Sequence, residues 1–140
     1  VSNRYSFFIP GPPQAKQRAR STRRGITYTP KETVNYEVLT KQMFAAEFPD
    51  FVMFGPKVAV RLCVSVFFPI PQSASKKLYA KMEAGTIRPT KRPDWDNLGK
   101  IVSDALNQIL YHDDCQVCSA TVLKFYSERP GVRVDFEEIE

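Results

Sequence analysis

The sequence predicts a single α+β domain spanning residues 1–140. Its elements run β-α-β-α-β-β, with a mixed sheet and helices packed on one face. Three observations carry that reading. Residues 57–68 alternate strictly, with Val58, Val60, Leu62, Val64, Val66 and Phe68 on one side, which is the period of a half-buried strand. Residues 96–110 place Leu98, Ile101, Val102, Ala105, Leu106 and Ile109 at spacings of three and four, the apolar stripe of an amphipathic helix. Two further strand-like stretches, 116–126 and 132–137, flank a turn at Arg129, Pro130 and Gly131.

The remaining elements follow from local chemistry. Residues 4–9 read as a strand closed by Pro10-Gly11-Pro12-Pro13. Residues 14–30 read as a basic loop or ribbon. Pro30 suits the first turn of a helix and Thr29 its N-cap. Val34, Val38, Phe44, Ala45 and Phe48 then predict an apolar face over 31–48, stopped by Pro49. Residues 73–84 form a short helix capped by Ser73 or Ser75 and ended by Gly85. Phe51, Val52, Met53 and Phe54 make an apolar cluster expected at the core edge or at an interface.

Composition narrows the function. Of 140 residues, 43% are hydrophobic, enough for a core, and the net charge of +5 with a pI near 9.2 favours a polyanionic partner. No apolar run approaches the roughly 20 residues of a membrane span. Three cysteines are too few for a disulfide framework, which points to a reducing, cytoplasmic setting. His112, Cys115 and Cys118 lack the further ligands a zinc site needs.

Charge is segregated along the chain. Lys16, Arg18, Arg20, Arg23, Arg24 and Lys31 fall in 14–31 without an acid. Lys76, Lys77, Lys81, Arg88, Lys91 and Arg92 fall in 73–92 against Glu83 alone, whereas 127–140 is acidic. Phosphate contacts from such runs give affinity without base readout; solvated loops are the plainer alternative.

Between these runs lie Asp94, Asp96 and Lys100, and beyond the helix Asp113 and Asp114. Taken singly, Asp96 reads as a helix cap, Asp113-Asp114 as a turn and Lys100 as a solvated lysine. Taken together, crowded carboxylates in a basic chain suggest a site for a hard cation such as Mg²⁺ acting on phosphodiesters. The two acidic pairs meet only if the chain doubles back after the helix.

Asp94-x-Asp96-Asn97-x-x-Lys100, then Asp104-Ala105-Leu106 and Asp113-Asp114-x-Gln116-Val117, resembles the signature of the RusA-type Holliday junction resolvases. Ile9-Pro10-Gly11-x-Pro13, Lys16, Arg18, Arg20 and Tyr28-Thr29-Pro30 resemble the same family. The resemblance implies a RusA-like fold and a homodimeric endonuclease using Mg²⁺, with Mn²⁺ as a substitute. Such an enzyme would nick two opposing strands of a four-way DNA junction and leave 5′-phosphates and 3′-hydroxyls. It implies metal ligation by Asp94, Asp96 and Asp114, with Asp113 a neighbouring acid, and a catalytic Lys100. Lys16, Arg18, Arg20, Arg23, Arg24, Lys76, Lys77, Lys91 and Arg92 are the expected DNA contacts. Trp95 and Gly99 depart from the pattern. The alternatives are a DNA-binding module with a degenerate site and a nuclease for other branched nucleic acids.

Overall fold

The computed structural model describes residues 3–140. Its main sheet has four strands in the order β1-β6-β4-β5: β1 is Arg4–Pro10, β4 Ala59–Pro69, β5 Val117–Ser127 and β6 Gly131–Ile139. β6 pairs antiparallel with β1 and with β4, and β5 lies parallel to β4 at the edge. A parallel neighbour requires a crossover. That crossover carries two helices, α2 (Lys76–Glu83) and α3 (Trp95–Ala105). It returns the chain to the start of β4, where Val117 lies beside Val60.

α1 (Lys31–Glu47) and α3 cover one face of the sheet. The alternation read from the sequence is the reason: Val60, Leu62, Val64 and Val66 of β4 are buried with Val132, Val134 and Phe136 of β6 and Phe7 and Ile9 of β1. Leu98, Ile101, Val102 and Ala105 of α3 close the core from above. α2 packs beside β5 and buries none of its residues; Ser75 caps it by accepting from the Leu78 N–H.

Three local expectations are corrected. Thr29 does not cap α1; Pro30 holds the cap position, and no side chain makes a cap hydrogen bond there. The buried face of α1 is Thr33, Tyr36, Thr40 and Phe44, while Val34 and Val38 stay exposed and Ala45 faces solvent. The threonines can be buried because each hydroxyl finds a near partner: Thr40 donates to the Tyr36 carbonyl and Thr33 bonds the Gln17 side chain. α3 stops at Ala105 rather than continuing to 110. Gln108 takes a left-handed φ of 65°, which ends helical propagation. Leu106 is nevertheless fully buried, as its place in the apolar stripe suggested, whereas Ile109 is half-buried and the chain beyond the helix fills the core with Leu110 and Tyr111, which the stripe did not include.

The basic N-terminal loop is a short ribbon of β2 (Arg20–Ser21) and β3 (Thr27–Tyr28), turned by Gly25 at φ 79°. Of the apolar cluster after α1, Phe51 and Phe54 pack at the core edge, and Val52 is 84% exposed. Among the described residues, no helix is long and apolar enough to cross a membrane.

Candidate nuclease site

The N-terminal end of α3 holds the first acidic pair. Asp94 occupies the N-cap position in extended backbone, yet its carboxylate makes no cap hydrogen bond. Asp96 accepts the Asn97 N–H through Oδ1 at 3.0 Å. Both line a cleft with Thr90, Lys91, Arg92, Trp95 and Lys124. Lys124 rises from β5 and donates to the carbonyls of Lys91 at 2.6 Å and Pro93 at 2.9 Å, which fixes the loop entering the helix.

A second groove runs between α3 and β5. Trp95, Asp96, Gly99 and Ser103 form one wall, and Val122, Ala120, Val117 and Asp114 the other. The crossover therefore brings Asp114 back to α3, where the charges of Asp104 and Lys100 act on it. From Asp96 to Ser103 the helix rises about 10 Å. Lys100 stands between, one turn from both Asp96 and Asp104. Among the described residues, no three His, Cys, Asp or Glu side chains gather closely enough to hold a metal ion.

Asp113 and Asp114 are adjacent but differ in role. Asp113 caps a 3-10 turn over Asp114–Gln116 by accepting the Cys115 N–H at 2.9 Å. Hydrogen bonds from Cys115, and then from Asp114, hold its carboxyl below the usual carboxylate range. Asp114 is pushed above that range, first by burial, then by its bond to Asp113 and by the charges of Asp113 and Asp104; Lys100 opposes the shift. The turn reading thus holds for Asp113, and Asp114 is the acid turned toward the groove.

Gln116 fixes this turn and was missed as a site residue. Its Oε1 accepts the His112 and Asp113 N–H groups, and its Nε2 donates to the carbonyls of Gly55 and Val58. The Asp113-x-x-Gln116 spacing of a capping box is the sequence signal that marks it. Lys124 was missed too; a lone lysine between Val122 and Tyr126 on the inward face of a strand is its signal.

The basic residues divide. Lys16 bonds Glu37 of α1 at 3.0 Å and Asp104 of α3 at 3.2 Å, and its N–H donates to the Asn97 carbonyl at 2.9 Å. Burial disfavours its charge, but the bonds to Glu37 and Asp104 outweigh that and raise its pKa. It staples the ribbon's stem across two helices. Arg18, Arg20, Arg23, Arg24, Lys76, Lys77, Lys91 and Arg92 are exposed and form no ion pair with a described residue. Lys16→Met is expected to cost about 1–2 kcal/mol in urea unfolding, because Glu37 and Asp104 would face each other without their cation. It is expected to leave the salt dependence of DNA affinity unchanged, whereas Arg20→Met lowers that slope by about one.

A basic-rimmed acidic cleft on an α+β scaffold is the kind of site found in nucleases that cut phosphodiesters. Residues 10–137 match the family described as Endodeoxyribonuclease RusA. Across 138 residues, 95% of each chain, the protein is 38% identical to a Bacillus subtilis (strain 168) protein described as "Uncharacterized protein YqaN". The chain belongs to the RusA endodeoxyribonuclease family.

Proposed function

We propose that the protein is a Mg²⁺-dependent endonuclease that resolves four-way DNA junctions by paired symmetric nicks, leaving 5′-phosphate and 3′-hydroxyl ends. It acts as a homodimer in the cytoplasm. The observation that carries this reading is the free Asp94 carboxylate beside Asp96 in a cleft rimmed by Lys91, Arg92 and Lys124. Family membership supports a nuclease acting on DNA.

The donor set fits a hard cation. Mg²⁺ is commonly held by one or two carboxylates, with water and substrate phosphate completing its shell. Asp94, Asp96 and Asp114 are the residues that would hold it, with Asp113 already spent on its turn. When bound, the cation neutralises charge on the scissile phosphate and acidifies the attacking water. Lys100, near enough to Asp114 for its charge to act on that acid, stabilises the extra negative charge of the transition state. Lys91 and Arg92 hold flanking phosphates. The ribbon's Arg18, Arg20, Arg23 and Arg24, and Lys76 and Lys77 of α2, extend the contact along the arms. Two nicks across a two-fold junction call for two sites, which a C₂ dimer supplies.

One observation favours a second reading, a DNA-binding module with a degenerate site: Asp114 does not join Asp94 and Asp96 in a group of three. Cleavage of an end-labelled mobile four-way junction separates the two. Paired nicks in Mg²⁺ or Mn²⁺, abolished by EDTA, are the expected result. A junction bound tightly and left whole in both metals would establish the degenerate module instead.

A further inference from the structure

Trp95 has no explanation in the core. It is 66% exposed, although it is the single tryptophan of the chain and is the first residue of α3. Burial of an indole is strongly favourable, so its exposure needs a cause. Its position supplies one. Trp95 lines both the charged cleft of Lys91, Arg92, Asp94 and Asp96 and the groove beside it.

That groove is different in kind. It encloses about 220 Å³, and its lining is mostly apolar, with Leu62, Val64, Gly99 and Val122 beside the carboxylates of Asp96 and Asp114. Gly99, which costs helix stability, has its reason here: a Cβ would meet Val122 Cγ2 at 3.0 Å, so glycine lets α3 lie close to β5. A cleft rimmed by Lys91, Arg92 and Lys124 and a mostly apolar groove thus meet at one aromatic ring. A nucleotide has the same division, an anionic phosphate joined to a flat aromatic base.

We propose that Trp95 and the adjoining groove receive one unstacked nucleobase next to the scissile phosphate. This inference rests on the nuclease reading above. The phosphate lies in the cleft of Lys91 and Arg92, and the base stacks on the indole. A base inside continuous duplex is unavailable to such a receptor without unstacking, which costs free energy; bases at a branch point are released at less cost. The receptor therefore gives preference for branched over linear DNA without reading sequence.

The sole tryptophan makes the test direct. Wild-type protein in EDTA is titrated with a four-way junction and with linear duplex of matched length. Indole emission and DNA anisotropy are followed together, beside Trp95→Leu and Trp95→Phe checked for folding by circular dichroism. The junction is expected to quench the indole far more than duplex does. Trp95→Leu is expected to raise the junction Kd by about fivefold or more, with duplex affinity unchanged, and Trp95→Phe to recover most of the loss. Saturable junction binding with unaltered emission, or a Trp95→Leu protein with wild-type junction Kd, overturns the receptor and leaves the nuclease reading standing. Failure of wild-type protein both to bind either DNA in EDTA and to cut the junction in Mg²⁺ or Mn²⁺ overturns both.

Discussion

Asp96→Asn is expected to slow junction cleavage by at least about 100-fold at saturating Mg²⁺, while the junction Kd moves only a few-fold. Asp96 borders both the charged cleft and the α3–β5 groove, so it is the carboxylate placed to act with Asp94 on one side and Asp114 on the other. Charge stabilisation through a bound cation is worth several kcal/mol, and each 1.36 kcal/mol is tenfold in rate. Asparagine is nearly the same shape and keeps an oxygen for the Asn97 N–H, so folding stability is expected within about 0.5 kcal/mol of wild type. Single-turnover cleavage beside urea unfolding checks both halves. Wild-type cleavage by this variant would remove Asp96 from the chemistry and leave it as a first-turn helix acid.

The contrast among the acids shows what sequence can and cannot say about such a site. Asp94, Asp96 and Lys100 were legible because their relation is local: it depends on two residues of extended chain and one helical turn. Asp114 was legible only as a candidate, because its approach to α3 depends on the crossover that makes β5 parallel to β4. The division of labour between Asp113 and Asp114 was not fully legible. It is fixed by a backbone N–H and by Gln116, whose partners at Gly55 and Val58 are far away in sequence. The partners of Lys16 were hidden for the same reason. In the sequence it belongs to a basic run without an acid, and only the packing of α1 and α3 brings Glu37 and Asp104 to it. Strand periodicity in 57–68 survived intact since one face is core. The face of α1 did not, because the buried threonines, Thr40 bonded within its own helix and Thr33 to Gln17 of the preceding loop, carry no hydrophobic signal.

Phe136→Ala is expected to cost about 3–5 kcal/mol, the usual range for emptying a buried phenylalanine site. That is a large part of the roughly 5–15 kcal/mol that holds a typical domain folded. Phe136 is 2% exposed and stacks on Tyr5 at 5.0 Å, with Phe48 at 5.7 Å, Phe51 at 5.8 Å and Phe44 at 5.9 Å around it. Val52→Ser, two residues from Phe54, is the control, expected within about 0.5 kcal/mol since Val52 faces solvent. The aromatic cluster also reaches the site. Phe54, 6.3 Å from Phe136, donates its N–H to the Leu110 carbonyl, and the same loop offers the Gly55 and Val58 carbonyls to Gln116. A loop loosened by Phe136→Ala would release the turn that holds Asp114. The variant is therefore expected to lose cleavage rate at temperatures where circular dichroism still reports a folded chain. Unfolding and loss of cleavage at one shared temperature would instead mean that the cluster supports the whole domain and has no separate hold on the site.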